Sequence, residues 1–286
     1  MISSKSWLET LTRRLSDHYE HSEAKRIAFL FFQHLTQFSR TDLLLDKPIL
    51  QLPEHWESLF NRLLLHEPIQ YVLGQAPFYG RMFSVNPSVL IPRPETEELV
   101  QLVIRHIQSG GWPSPRLLDI GTGSGCIAIS LAKELPLAYL EAWDVSADAL
   151  QVAHQNARLL DAQVVFRRRN ALMEEPSITP LFEAIVSNPP YVAQSERQQM
   201  KPNVLDFEPH LALFVTDDDP LVFYKKIAQI GQYQLTSNGF CCVEINEHFG
   251  PETVEVFVQS SYHPVHLISD IHGKNRFVLA YKQPSA

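Results

Sequence analysis

The tetrapeptide Asn188-Pro189-Pro190-Tyr191 stands directly after the apolar run 184–187. A conjugated NH2 group is a poor nucleophile because its lone pair is delocalised into a carbonyl group or a ring. The side-chain oxygen of Asn188 can accept a hydrogen bond from one N–H of such a group. A backbone carbonyl fixed by Pro189 can accept a hydrogen bond from the other N–H. Tyr191 offers a flat face for stacking. These residue types predict a site that orients the nitrogen of an amide or an aromatic amine toward a reactive methyl group.

A glycine-rich segment follows the apolar run 116–120 and precedes a helical pattern that begins at Cys126. Glycine permits the backbone angles of a tight turn and lets a ligand approach the main chain without a Cβ atom in the way. The spacing is G-x-G-x-G, whereas the dinucleotide fingerprint is G-x-G-x-x-G, which argues against a nicotinamide dehydrogenase. The residues predicted to lie against a ligand are Gly121, Thr122, Gly123, Ser124 and Gly125.

Asp144 ends the next strand-like run, 140–144. An acidic side chain at the carboxyl end of a second strand can accept both hydroxyl protons of a ribose, so a nucleoside-containing cofactor is predicted. Each pattern also has an ordinary structural interpretation. The glycines could form only a turn, Asp144 could only cap the following helix, and Tyr191 could only be an apolar wall beside an Asn-Pro turn.

Strand and helix patterns alternate through the middle of the chain, which is typical of an α/β fold with a doubly wound parallel sheet. The last third adds two helices, one strand and a final antiparallel strand pair. The predicted strands are 116–120, 139–145, 164–167, 184–187, 240–245, 265–268 and 276–281, and the predicted helices are 126–135, 147–160, 221–235 and 252–258.

The segment before this sheet is different in character. Apolar residues in 1–75 recur at three- and four-residue steps, which predicts an N-terminal all-α domain. Glycine, proline and aromatic residues surround the strand-like pieces 78–85 and 88–91, which predicts a β-hairpin linker over 76–94. Residues 95–286 are therefore expected to form the Rossmann-like catalytic domain.

Composition narrows the class of protein. The 286 residues are 45% hydrophobic and 20% charged, with a formal net charge of -8. That charge disfavours binding to nucleic acid through phosphate contacts alone. The N-terminus lacks the apolar run of a secretory signal, so a cytoplasmic location is expected. Cys126, Cys241 and Cys242 lack metal-site spacing and are expected to be reduced, buried thiols, and no metal site is predicted.

Further motifs occur along nearly the whole length of the chain. The most discriminating is the segment Pro92-Arg93-Pro94-Glu95-Thr96-Glu97 after a helical domain. Others are Glu67-Pro68-Ile69-Gln70-Tyr71, Phe78-Tyr79-Gly80, Asn156-Ala157, Glu208-Pro209 and Gly273-Lys274. With these motifs the chain resembles the class I methyltransferases that modify the glutamine amide of peptide chain release factors, the protein-(glutamine-N5) methyltransferases of the HemK/PrmC type.

The resemblance implies specific roles. S-adenosyl-L-methionine would be bound by residues 121–125, Asp144, Ala171 and Asn188. The tetrapeptide 188–191 would hold the glutamine of the Gly-Gly-Gln motif in a release factor, with Asn188, Pro189 and Tyr191 as the catalytic residues. The helical domain would recognise this protein substrate, and the enzyme is expected to be a monomer that binds neither membranes nor nucleic acid.

Some positions depart from the family pattern. Asn170-Ala171 stands where the family usually has an acidic residue followed by a bulky one near the adenine. Asn246 stands where a glycine is usual, and this difference is expected to leave the tetrapeptide untouched.

Two alternative functions remain open at the level of sequence. One is a methyltransferase for the exocyclic amine of a base in DNA or RNA, because the same tetrapeptide chemistry serves an aromatic amine. The other is a non-catalytic adaptor that binds a translation factor through its helical domain.

Overall fold

The computed structural model describes residues 2–173 and 182–283, and its contacts divide the chain into two units. The first, the helical unit, comprises Met1–Gln75 together with Lys201–Phe207. The second, the sheet unit, comprises Ala76–Met200 and Glu208–Ala286. Across the described ranges, no helix is both long enough and apolar enough to cross a membrane.

The helical unit is built from short amphipathic helices whose apolar faces meet. Trp7, Leu11 and Leu15 pack in one buried cluster with Phe31 and Phe60. This packing confirms the helical region predicted from three- and four-residue spacing. The elements are β1 (Ile2–Ser3), α1 (Ser4–Ser16), α2 (His21–Thr36), α3 (Arg40–Leu44), β2 (Pro48–Ile49), α4 (Trp56–Leu64) and α5 (Ile69–Leu73).

Side-chain caps determine where two of these helices begin. The Ser3 hydroxyl accepts a hydrogen bond from the backbone amide of Ser6 at the start of α1, at 3.1 Å. Ser39 and Asp42 form a capping box at the start of α3, in which each side chain accepts from the backbone amide of the other. Both arrangements satisfy amides that have no partner within the helix.

A hairpin opens the sheet unit, but its turn lies inside the piece 78–85 that was predicted as a single strand, so that prediction is wrong. Its strands are β3 (Gln75–Phe78) and β4 (Arg81–Ser84), which pair with each other. Tyr79 and Gly80 connect them and have φ angles of 47° and 71°. Positive φ at both positions is the backbone that a two-residue hairpin turn requires.

The strand-like piece predicted at 88–91 is wrong, because these residues form a turn and an irregular segment. Val89 and Ile91 are both buried, which reproduces the alternation of a strand. The amide of Ile91 nevertheless donates to the Glu208 side chain, at 3.1 Å, and not to a neighbouring strand. Alternating burial alone was therefore insufficient to identify a strand.

A long helix that the strand and helix assignment omitted follows the hairpin. It is α6 (Pro94–Gly110), with proline in its first turn and Gly111 in the left-handed conformation after its end. Proline at the start and glycine past the end are ordinary helix signals. The helix buries Leu99, Val100 and Val103 against the sheet unit's core.

The centre of the sheet unit is a mixed sheet of seven strands in the described part of the chain. Parallel pairing joins β11, β8, β5, β6 and β7, while β13 pairs antiparallel with β11 and β12. This arrangement confirms the predicted doubly wound α/β fold. The strands are β5 (Arg116–Ile120), β6 (Tyr139–Asp144), β7 (Val165–Arg168), β8 (Phe182–Ser187), β11 (Leu235–Glu244), β12 (Tyr262–Ser269) and β13 (Asn275–Lys282).

The remaining elements connect or cover these strands. Two short strands, β9 (Val192–Ala193) and β10 (Phe214–Val215), pair with each other apart from the main sheet. One helix, α9 (Pro202–Leu205), belongs to the helical unit. The others are α7 (Cys126–Glu134), α8 (Ala147–Leu159), α10 (Val222–Gln234) and α11 (Gly250–Gln259).

Both faces of the sheet are covered. Leu117 packs in an apolar cluster with residues of α6 and α7, whereas its neighbour Leu118 packs in a second cluster with residues of α10 and α11. Successive side chains of a strand point to opposite faces, so a strand buried on both sides must be apolar throughout. This explains why the strand runs in the sequence are nearly continuous.

The buried side chain of Asn156 in α8 connects the hairpin to the glycine-rich segment. Its Oδ1 accepts from the Ser84 amide at 2.7 Å, and its Nδ2 donates to the carbonyl oxygens of Ser84 and Ser124, at 3.0 and 2.9 Å. These bonds satisfy three backbone groups that belong to two separate segments.

We expect Asn156→Ala to lower the free energy of unfolding by about 3 kcal/mol, because buried backbone groups lose their partners. Urea denaturation measures this change. The matched control is the exposed neighbour Gln155, whose replacement by alanine should change the free energy of unfolding little. Equal midpoints for the two variants would show that Asn156 does not stabilise this junction.

Candidate functional site

The carboxyl ends of β5, β6 and β8 meet at one cavity of about 350 Å³ within the sheet unit. In the strand register, Ile120 of β5 lies beside Trp143 of β6 and Ser187 of β8. The residues that follow these strand positions are therefore brought together. The predicted site residues that line the cavity are Gly121, Thr122, Gly123, Ser124, Asp144, Ala171, Asn188, Pro189 and Pro190.

The three glycines have different structural roles. Gly121 and Gly123 have φ angles of 77° and 55°, and no described atom lies within 4 Å of the position that a Cβ would occupy. A Cβ on Gly125 would instead come within 2.9 Å of Ile129 and 3.2 Å of Ala153. The first two glycines therefore leave the main chain open to a ligand, and Gly125 permits the close packing of α7 on α8.

Asp144 holds the glycine-rich segment in place. Its Oδ2 accepts from the Gly123 amide and its Oδ1 accepts from the Ser146 amide, both at 2.9 Å. Burial raises the pKa of this carboxyl group, and the two backbone hydrogen bonds oppose that effect. Each carboxylate oxygen has a second lone pair, so Asp144 can support the start of α8 and still accept from ribose hydroxyls. The capping and cofactor interpretations are compatible.

Below the same segment, Asp119 of β5 accepts a hydrogen bond from the Thr122 hydroxyl at 2.6 Å. Burial raises the pKa of Asp119 to about 7, although the hydrogen bond from Thr122 lowers it. Thr122 lines the cavity. Asp119 thus orients a cavity residue from within the sheet.

The other end of the cavity carries the predicted adenine-side residues. Asn170 and Ala171 follow β7, and Asn170 Oδ1 accepts from the Leu172 amide at 3.1 Å. Nearby, the guanidinium carbon of Arg169 lies 4.8 Å from the centre of the Trp143 ring, and both side chains line the cavity. Flat groups thus border this end, which suits a planar base.

Asn188 projects from the carboxyl end of β8 and is half-buried. Its Nδ2 donates to the Thr96 hydroxyl oxygen at 3.1 Å. Thr96 lies in the first turn of α6, and its hydroxyl donates in turn to Glu244 Oε2 at 2.7 Å. The donor atoms of the Asn188 amide are thus partly engaged by the protein, while its oxygen is available to a ligand.

Tyr191 lies outside the set of residues that line the cavity. Its ring packs against the apolar cluster beneath the sheet, and its hydroxyl donates to Glu244 Oε1 at 3.2 Å. The predicted stacking role of Tyr191 remains a prediction.

Asn246 contacts the tetrapeptide, so the expectation that this difference leaves it untouched is wrong. Its Nδ2 donates to the Tyr191 carbonyl at 3.2 Å and to the Glu196 carboxylate at 3.0 Å. A glycine at this position would have no side chain to make these bonds. The contact depends on the proximity of β11 and β8, which is not evident from the sequence separation.

The fully buried Glu244 was missed in the sequence, although it accepts from both Thr96 and Tyr191. Burial raises its pKa to about 7, against the effects of the Thr96 hydrogen bond, the Arg276 charge and the Tyr191 hydrogen bond. A signal was present, because Glu244 is an acidic residue near the end of the apolar run 240–245. Asp144 was identified by the same signal.

Arg93 also lines the cavity, where it forms an ion pair with Glu208 at 2.6 Å. Cys126 lines the cavity as well, but burial raises the pKa of its thiol to about 12, which disfavours the nucleophilic thiolate. All three cysteines are buried and free, as predicted.

Comparisons with known proteins match both parts of the chain. The PrmC N-terminal domain model matches residues 6–74, and the methyltransferase small domain model matches residues 96–205. The release factor glutamine methyltransferase of Bacteroides thetaiotaomicron is 43% identical over 94% of this chain and 97% of that one. The protein of the same name from Flavobacterium psychrophilum is 41% identical over 96% of this chain and 97% of its own length.

A solved structure extends the comparison of the fold. The hMettl16 catalytic domain, in complex with the MAT2A 3′UTR hairpin 6, has a TM-score of 0.55 and 16% sequence identity. The match covers 82% of this chain and 85% of that one. At this identity the likeness concerns the fold alone.

The open faces of Gly121 and Gly123 and the carboxylate of Asp144 fit S-adenosylmethionine, and they generate a prediction. We expect Asp144→Asn to weaken S-adenosylmethionine binding roughly 10- to 100-fold, because charge-assisted hydrogen bonds to the ribose are lost. The asparagine amide also cannot accept from both Gly123 and Ser146. Isothermal titration calorimetry measures the affinity.

The control for this prediction is Asp161→Asn. Asp161 is exposed and has a φ of 48°, which asparagine tolerates. The Asp161→Asn substitution removes the same charge outside the cavity and should leave the affinity for S-adenosylmethionine unchanged. Wild-type affinity in Asp144→Asn would remove Asp144 from the cofactor site.

Proposed function

Because the chain belongs to the family of release factor glutamine methyltransferases, we propose that it methylates the glutamine of the Gly-Gly-Gln motif in peptide chain release factors. The methyl group would pass from S-adenosylmethionine to the side-chain amide nitrogen, N5. The observation that carries this proposal is the placement of Asn188 in the same cavity as Gly121, Gly123 and Asp144. A nucleoside cofactor and a conjugated NH2 group would thus meet in one cavity.

Bound S-adenosylmethionine supplies an electrophilic methyl group on a sulfonium. Asn188 Oδ1 accepts one N–H of the glutamine amide, and the Pro189 carbonyl accepts the other, which turns the nitrogen lone pair toward the methyl carbon. The cofactor would supply the methyl group as its bond to sulfur breaks, and the methylated nitrogen would then release one proton to solvent. No strong general base is needed, because the proton leaves after the nitrogen has become tetrahedral.

The predicted contribution of Tyr191 is part of the same proposal. Its hydrogen bond to Glu244 holds the ring at the end of the tetrapeptide. In this proposal the flat face of the ring stacks on the planar amide of the substrate glutamine.

We assign recognition of the release factor to the helical unit. Leu44, Leu45 and Leu50 are 73%, 77% and 82% exposed, respectively, and lie close together in sequence. Exposed apolar side chains of this kind suit a protein surface more than a phosphate backbone. The net charge of -8 supports the same choice. The proposed enzyme acts as a monomer in the cytoplasm, where release factors work.

The proposed function predicts transfer of labelled methyl from S-adenosylmethionine to purified release factor. No label should enter a factor in which the glutamine of Gly-Gly-Gln is replaced by alanine, and none should enter total RNA or DNA. Label found only in nucleic acid would transfer the assignment to the base methyltransferases. Absence of label from every substrate would favour the adaptor.

Asn188→Ala separates chemistry from cofactor binding. We expect this variant to lose nearly all transfer, because the amide nitrogen loses the acceptor that orients it, while its affinity for S-adenosylmethionine stays close to that of the wild type. Transfer is measured with the labelled cofactor and affinity by calorimetry. Full turnover in Asn188→Ala would refute the proposed orientation of the nucleophile.

A further inference from the structure

Three hydrogen bonds connect the tetrapeptide to one buried carboxylate. Glu244 Oε2 accepts from Thr96 at 2.7 Å, Thr96 Oγ1 accepts from Asn188 Nδ2 at 3.1 Å, and Glu244 Oε1 accepts from Tyr191 at 3.2 Å. Glu244 and Thr96 are 1% and 2% exposed, so water does not compete for these bonds. The proposed contacts of the tetrapeptide with the substrate do not by themselves require any of these three hydrogen bonds.

The direction of the first two bonds is determined by chemistry. An ionised carboxylate can only accept, so the single hydroxyl proton of Thr96 must point to Glu244. The Thr96 oxygen then has only lone pairs to offer Asn188, and it can be satisfied by the NH2 end of the amide but not by the oxygen end. The oxygen of Asn188 is consequently directed away from Thr96.

We propose that Glu244, acting through Thr96, is a positioning residue that fixes the orientation of the Asn188 amide, so that its oxygen and not its nitrogen meets the substrate amide. This inference rests on the proposed function, in which Asn188 must accept an N–H bond. With the amide reversed, the NH2 group of Asn188 would face an N–H group of the substrate amide, and no hydrogen bond could form between these two donors. The substrate nitrogen would then lose its orientation. The amide group has two nearly isosteric ends, so shape alone does not select one of them.

The second oxygen of Glu244 acts on the other end of the tetrapeptide. Burial raises the pKa of Tyr191 far above its ordinary value, so its hydroxyl stays protonated and donates to Glu244. The carboxylate therefore receives one proton donor from α6 and one from the segment after β8. It connects the first and last residues of the tetrapeptide through separate oxygen atoms.

The charge state of Glu244 provides a way to test its role in positioning the Asn188 amide. Burial raises its pKa to about 7, and the charge of Glu95 on α6 acts in the same direction. The Thr96 and Tyr191 hydrogen bonds and the charge of Arg276 on β13 act in the opposite direction. Arg276 is itself paired with Asp270, at 3.1 Å. From α10, the Tyr224 hydroxyl donates to the Glu244 backbone carbonyl, at 3.3 Å, and not to the carboxylate.

Protonation removes the constraint on direction. A neutral Glu244 can donate to Thr96, and the Thr96 hydroxyl can then donate to a reversed Asn188 amide. The carboxylate is ionised above its pKa and neutral below it, so kcat should fall as the pH decreases through about 7. Glu244→Gln is neutral at every pH, and either end of its amide can face Thr96, as either oxygen of the neutral carboxyl group can. This variant should therefore show the low kcat of the neutral carboxyl group at every pH, without the acid-side decline.

Thr96→Val removes the connection while keeping the side-chain shape. We expect kcat to fall roughly 10- to 100-fold, because one oriented hydrogen bond is lost, with KM for the release factor nearly unchanged. Thr96→Ser should restore most of kcat. The matched control is Thr253→Val, which removes the hydroxyl of another buried threonine, in α11, that donates to the backbone carbonyl of Phe249. A loss common to all buried threonines would lower kcat in both valine variants.

A second readout needs no substrate. In 1H–15N spectra of the free protein, the Asn188 side-chain NH2 signals, assigned by their loss in Asn188→Ala, should shift as the pH passes through about 7. The shift should be absent in Glu244→Gln. This measurement decides the inference even if Thr96→Val does not fold or if the wild-type protein transfers no methyl group to release factors.

The outcomes are distinct. Failure of wild-type transfer with a pH-dependent Asn188 signal would refute the proposed function and leave the positioning device supported. Wild-type kcat in a folded Thr96→Val variant, or Asn188 signals that do not respond to pH, would overturn the device. An acid-side decline that persists in Glu244→Gln would also overturn it, because another group would then be responsible.

Discussion

The register of the parallel strands is the constraint on which the site depends. Ile120 lies beside both Trp143 and Ser187, and Ser187 lies beside Val243. The next residue of each strand or loop therefore emerges at the same edge of the sheet. A slip of one residue would turn every side chain of a strand to the opposite face, and both apolar clusters would be lost. Burial on two faces thus fixes the site to within one residue.

Buried acids organise that edge. Asp119, Asp144 and Glu244 each have a pKa raised by burial, and each accepts hydrogen bonds from groups that form the site. Removing a carboxylate from water is unfavourable unless donors compensate for the lost hydration. The donors here are a backbone amide of the glycine segment and the hydroxyls of threonine and tyrosine. Asp119 and Glu244 consequently act on the orientation of ligand-binding groups without lining the cavity, whereas Asp144 lines the cavity and also offers lone pairs to a ribose.

The fold was predictable to the extent that local periodicity reflects burial. The strand 116–120 was recovered with its bounds unchanged, because a strand covered on both faces must be continuously apolar. The same reasoning failed at 88–91, where alternating burial arises from contacts of an irregular segment. The helix Pro94–Gly110 has standard start and end signals, a proline in its first turn and a left-handed glycine after its end, and was predictable from them.

The sequence by itself determined the residue types with chemical capacity: the glycine-rich segment, Asp144 and the tetrapeptide, because each must follow a strand to be useful. Only the tertiary structure decided their partners. Glu244, Thr96 and Asn246 reach the tetrapeptide from elements far away in sequence, and their contacts depend on strand order and on the packing of α6. Local sequence determines what a side chain can donate or accept. The three-dimensional arrangement determines which atom it meets, and hence the direction of each hydrogen bond.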